Sequence, residues 1–224
     1  HPERGYYVTR DPLGVRGDFI TAPEVSQMFG ELLGLWAAVQ WRALGMPNPI
    51  RLVELGPGRG TLMADALHAA RLVPGFLEAV RVDFVEISPA LRERQRDTMA
   101  ARARGVPVAW HDWIGDVPEG PAIVLANEFF DALPVRQFIR TPGGWRERLV
   151  DATADGRFVF VYSDVRQPLV PPSWDDVLGD VPEDGVVEVS SASAAVAALI
   201  GERIARFGGA ALIVDYGHAQ SAPG

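Results

Sequence analysis

The chain has 224 residues, no cysteine and no lysine, all 21 basic residues being arginine, and it carries a formal net charge of −8. That composition excludes disulfides, thiol nucleophiles, thiolate metal sites, a Walker-type phosphate loop with its lysine and a pyridoxal Schiff base. It also argues against a general nucleic-acid binder, which is ordinarily basic, while the 48% hydrophobic content suffices for one fully cored domain, with or without an insertion.

In chain order, residues 1–22 are rich in turn formers and aromatics. Pro23 is expected to open an amphipathic helix running to about Leu44, with Thr21 as its N-cap. Its apolar set Val25, Met28, Leu32, Leu35, Trp36 and Val39 recurs at helical spacing. A short buried strand, Leu52–Leu55, then meets Gly56, Gly58 and Gly60, and helical spacing resumes over Thr61–Leu72. Three alternating glycines on a strand-to-helix turn let the backbone take positive φ and let a ligand approach the main chain. The free N–H groups of the following helix point to the same place.

The alternation continues with strand Val82–Val85, helix Pro89–Ala103, and strands Val106–Trp110 and Ala122–Ala126. Such alternation implies a parallel sheet with right-handed crossovers, a Rossmann-like α/β fold with helices on both faces. Between Trp145 and Val189 short two-period runs replace it, as in Arg146–Asp151 and Arg157–Tyr162, and predict an antiparallel hairpin insertion with an extended Pro-rich loop. A helix over Ala192–Phe207 and a strand over Ala210–Val214 restore the α/β theme. The expected organisation is a lid segment and long helix in 1–50, a cofactor-binding core in 51–144, an insertion in 145–190, and a helix with the fifth core strand in 191–224. No apolar run approaches the roughly 20 residues of a membrane span, and no signal peptide is visible, so the expected location is the bacterial cytoplasm.

Glu86 closes the second strand, where an acid can accept from both hydroxyls of a ribose. The spacing is G-x-G-x-G behind an acid, Glu54, and not the G-x-G-x-x-G of dinucleotide sites. An acid just ahead of the glycines suits an ammonium better than a pyrophosphate. S-adenosylmethionine carries the ribose and the ammonium and has no phosphate, so it is the expected cofactor.

The sequence resembles the MidA-like class I methyltransferases, which include the mitochondrial complex I assembly methyltransferase. Five blocks carry the resemblance: Gly17-Asp-Phe-Ile-Thr-Ala-Pro-Glu24 with Gln27 and Phe29-Gly-Glu31, Leu52 to Thr61, Val85-Glu-Ile-Ser88, Asn127-Glu-Phe-Phe-Asp-Ala-Leu-Pro134, and Asp215-Tyr-Gly-His218. The resemblance implies a class I methyltransferase fold and a protein arginine as methyl acceptor, a complex I subunit in the mitochondrial case, with the mitochondrial matrix as location in a eukaryote. Against the family pattern, the helical region ahead of His1 and the last antiparallel strands are missing, which predicts a fragment.

Geometry and resemblance together assign Gly56, Gly58 and Gly60 to the methionine end of the cofactor, Glu54 to its ammonium, and Glu86 to the ribose. Asp112 falls where this fold places an acid beside the adenine; Trp113 either stacks on the base or packs in the core. His111 reads as a satisfied histidine, and His218 as a loop histidine or a base. Glu128 is the expected catalytic carboxylate for a guanidinium, with Asp131 and Glu24 as partners. Asn127 orients the nucleophile or closes the turn. Glu24 alternatively serves as a helix N-terminal charge. Asp18 and Thr21 belong to a lid over the cofactor, unless Thr21 only caps. No metal is expected, and the partner is a protein substrate with no nucleic acid and no membrane insertion. Two other readings stay open: a small-molecule methyltransferase, and a non-catalytic assembly protein that keeps the fold.

Overall fold

The computed structural model describes residues 22–164 and 181–217. They fall into two compact units, the described parts of His1–Ala132 with Val196–Tyr216, and of Leu133–Ala195.

In the first unit, α1 (Ala22–Val25) and α2 (Gln27–Ala43) precede β1 (Ile50–Leu55) and α3 (Thr61–Ala70). The chain then forms a short α4 (Phe76–Ala79), β2 (Val80–Val85), α5 (Pro89–Arg102), β3 (Val108–His111) and β4 (Ala122–Asn127). The chain returns to this unit within α6 (Ser191–Phe207), which leads into β9 (Gly209–Val214). All five strands are parallel, in the order β3-β2-β1-β4-β9. This is the expected α/β sheet, with β1 at its centre. The order reverses between β1 and β4, and in open α/β sheets the crevice outside the carboxyl ends at such a point is where ligands bind.

The expected single helix from Pro23 is broken. Ser26 is extended, with φ −148° and ψ 120°, so the helix restarts at Gln27. The apolar set that marks this segment as amphipathic is also not its buried face: Val25, Met28, Leu32 and Val39 are exposed. The buried residues of α2 are Gly30, Gly34, Ala37, Ala38 and Trp41. Here α2 lies backbone to backbone on α3: a methyl group at Gly34 would stand 2.1 Å from the Ala66 carbonyl oxygen, and one at Gly30 would stand 2.7 Å from Asp65 Cβ. Close approach has won over side-chain volume, because only small residues permit it. Ile50, Leu52, Phe84, Ile123 and Leu125 from the sheet close the core against Met63, Leu67 and Phe76.

In the second unit, β5 (Arg136–Thr141), β6 (Gly144–Ala152), β7 (Phe158–Tyr162) and β8 (Val186–Val189) form an antiparallel sheet in the order β7-β6-β5-β8. The expected hairpin is β6–β7. The sheet extends it on the far side with β5, whose Arg136-Gln-Phe-Ile-Arg-Thr141 shows too little alternation to read as a strand alone. Among the described residues no helix is long and apolar enough to cross a membrane.

Candidate active site

Four loops meet at the carboxyl ends of neighbouring parallel strands. After β1, Gly56, Gly58 and Gly60 take φ of 61°, 54° and 78°, the left-handed region in which a side chain is strained. Gly56 N–H donates to the Val85 carbonyl at 3.0 Å, which ties the start of the turn to the end of β2. Gly60 is the N-cap of α3. A methyl group at Gly56 would lie 2.9 Å from Phe129 Cδ2, so the loop after β4 rests directly on the glycine turn.

Glu54 sits in the central strand between Phe84 and Leu125 and is 3% exposed. Burial alone pushes its carboxyl from 4.5 up to about 8. Its Oε2 has no hydrogen-bond partner among the described residues, and neither does the buried Oδ1 of Asn127. A buried acid left this way is costly, and a ligand's ammonium beside the glycine turn would relieve the cost. The residues present therefore fit the expected group at its amino-acid end.

Glu86 is also buried. Its Oε1 accepts from Ser88 N–H at 2.8 Å and its Oε2 from Gln95 Nε2 at 3.3 Å. Burial raises its pKa, opposed by these two hydrogen bonds in that order. The carboxylate keeps acceptor capacity for a ribose hydroxyl. Asp112 is different: its side chain is 78% exposed and pairs with Arg92 at 2.6 Å. That guanidinium also donates through Nε to the Glu86 carbonyl at 2.7 Å, so Asp112 reaches Glu86 only through Arg92. Trp113 is exposed rather than packed in the core. His111 is satisfied, with Nε2 2.8 Å from Asp83 Oδ1.

The loop after β4 carries Glu128 and Asp131. Glu128 adopts φ 48°, an uncommon conformation for a residue with a side chain. Its N–H donates to the Val214 carbonyl at 2.8 Å. Asp215, just past β9, then fixes the rest of the loop. Its Oδ2 accepts from the amides of Phe130 at 3.0 Å and Asp131 at 3.2 Å, and its Oδ1 from Tyr216 N–H at 2.8 Å. The pKa of Asp131 is raised, first by burial and then by the charge of Asp215. Sequence reasoning left Asp215 without a role, since the loop amides it holds lie 84 and 85 residues away. Asp215→Ala is expected to free both amides at a cost of about 1–3 kcal/mol and to let the Asp131 carboxyl titrate lower. Urea unfolding and an NMR titration check both. An unmoved Asp131 would show that Asp215 does not act on it.

Asp18, Thr21 and His218 lie outside the described residues, as does the side chain of Glu24. Among the described residues there is no group of three or more His, Asp or Glu able to hold a metal ion.

Comparison with known proteins gives a consistent picture. Residues 32–223 match a family described as "Putative S-adenosyl-L-methionine-dependent methyltransferase". The mitochondrial protein arginine methyltransferase NDUFAF7 of Danio rerio is 41% identical over 97% of this chain and 56% of its own length. The human protein of that name is 40% identical over 97% and 53%. A crystal structure of a Burkholderia thailandensis protein bound to S-adenosyl-homocysteine superposes with a TM-score of 0.77 at 31% identity, covering 97% of this chain and 55% of that one. The chain thus spans about half the length of these relatives.

Proposed function

Because the chain belongs to this family of S-adenosyl-L-methionine-dependent methyltransferases, we propose that it transfers a methyl group to the guanidinium of an arginine in a protein substrate. The observation that carries this reading is the meeting of an unpaired buried acid, Glu54, with the acid-bearing β4 loop across one glycine turn. When bound, the cofactor supplies an electrophilic methyl on a sulfonium.

The chain's own residues do the rest. Glu54 offers a charge to the cofactor's ammonium, the backbone of Gly56, Gly58 and Gly60 gives it a close bed, and Glu86 takes the ribose hydroxyls. Glu128, with Asp131 and Glu24 as partners, grips the substrate guanidinium. Carboxylates bound to one edge hold positive charge there, which leaves the far nitrogen with a usable electron pair. As the N–C bond forms at the expense of the sulfonium's S–CH3 bond, whose electron pair stays on sulfur, the nitrogen gives up a proton. Asp131 is placed to receive it, because its raised pKa favours proton uptake. Holding nucleophile and methyl in line is the main source of rate in such a transfer.

The names of the relatives support a protein arginine as acceptor. A complex I subunit is the proposed target, as the resemblance of the sequence blocks implies. The proposed setting is the bacterial cytoplasm, or the mitochondrial matrix in a eukaryotic cell. Isotope-labelled methyl transfer to candidate proteins, read by mass spectrometry, is expected to place the label on arginine. Label on carboxyl, hydroxyl or small-molecule products would sink the arginine reading. Cofactor binding without any turnover would favour an assembly role.

A further inference from the structure

One face of α5 is turned to the glycine turn and the ribose acid. Arg92, Gln95 and Thr98 recur at three-residue spacing on it. Thr98 Oγ1 donates to the Arg59 carbonyl at 2.9 Å and Arg92 Nε to the Glu86 carbonyl at 2.7 Å. Between them stands Gln95, 0% exposed. Its Nε2 donates to the Gly58 carbonyl at 2.7 Å and lies 3.3 Å from Glu86 Oε2, and its Oε1 accepts from Trp110 Nε1 at 2.9 Å.

The direction of this amide follows from its neighbours. An indole N–H can only donate, so it must face the oxygen end. A main-chain carbonyl and an ionised carboxylate can only accept, so they must face the nitrogen end. Both ends of Gln95 are thereby committed, and the rotamer is fixed from two sides. The same amide joins the second glycine of the turn to the acid at the end of β2.

We infer that Gln95 is a positioning residue for the cofactor: it holds the Glu86 carboxylate and the Gly58 turn in one register, so that ribose and amino-acid ends are bound together. This rests on the methyltransferase reading. Without the amide, the Glu86 carboxylate loses its side-chain hydrogen bond and is held by the main chain of Ser88 and Ile87 alone. The ribose hydroxyls are then the groups that lose a defined acceptor.

The test compares two ligands on the full chain by calorimetry: S-adenosylhomocysteine, and its 2′-deoxyribose analogue, which lacks one hydroxyl that Glu86 takes. Gln95→Met keeps an unbranched side chain of similar length and removes both hydrogen-bonding ends. The variant is expected to bind S-adenosylhomocysteine about ten- to a hundredfold more weakly, the size of one lost hydrogen bond to a charged group. The 2′-deoxy analogue should lose clearly less. A merely structural role predicts equal losses for the two ligands, and equal losses, or none, overturn the inference. Should that variant not fold, Trp110→Phe keeps an aromatic ring there and removes the N–H that orients the amide. It is expected to cost about fivefold with the same ligand dependence, and the same outcomes decide. A wild-type chain that binds neither ligand overturns the methyltransferase reading as well. Tight wild-type binding with unaltered variants overturns the role of Gln95 alone.

Discussion

Glu54→Gln is expected to make the free chain more stable at pH 7 and to weaken its hold on S-adenosylmethionine. Burial raises this carboxyl from 4.5 to about 8. The folded chain therefore binds its proton more tightly than the unfolded chain does. Stability is fully present below pH 4.5 and is lost as pH rises toward 8, at up to about 1.4 kcal/mol per pH unit. At pH 7 the loss amounts to about 3 kcal/mol, which an amide does not incur. The same amide cannot neutralise an ammonium, and losing a charge-assisted hydrogen bond in a buried place weakens binding by up to about a hundredfold.

Urea unfolding between pH 5 and 8 reads the first effect: the wild-type slope should flatten in the variant. Titration calorimetry reads the second. It should also show wild-type binding at pH 7 releasing close to one proton, seen as a dependence of the heat on the buffer's ionisation enthalpy. A variant with the wild-type pH slope and undiminished affinity would remove Glu54 from the site.

Glu128→Gln is expected to cut methyl transfer by about 10²- to 10⁴-fold, the range for a positioned carboxylate that handles charge or a proton. Cofactor binding should stay within a few-fold, because Glu128 faces the acceptor in this reading. Glu128→Gly separates chemistry from folding. The left-handed backbone at φ 48° costs a residue with a side chain roughly 1–2 kcal/mol, and glycine removes that strain. Its looser unfolded chain gives back about 0.5–1 kcal/mol. The glycine variant should therefore melt within a few degrees of the wild type and still be as slow as the glutamine variant. Initial rates with labelled cofactor, set beside thermal melts, decide the matter. If Glu128→Gln retained a third of the wild-type rate, another group would hold the acceptor.

What the sequence made legible was mostly what is written locally. Three alternating glycines at a strand end announce positive φ, and the acids at 54 and 86 stand out against apolar strands. Those signals need no knowledge of distant residues, and the parallel order of the sheet follows from their alternation with helices. The α2 segment shows the limit. Its large apolar residues gave the periodic signal, whereas its contact with α3 is made by Gly30, Gly34, Ala37 and Ala38, which carry almost no hydrophobic weight. Polar positioning was the other blind spot. The roles of Gln95 and Asp215 depend on groups up to 37 and 85 residues away, and nothing in their immediate neighbours distinguishes them from ordinary helix or strand-end residues.

The bare crossing of α2 and α3 has a mechanical result. Where two helices touch through their main chains, no cushion of side chains can yield between them. A shift of α2 must drag α3 with it as a lever drags its axle, and the near end of that lever is Gly60, where α3 begins. A pull on α2 would thus reach the glycine turn through α3.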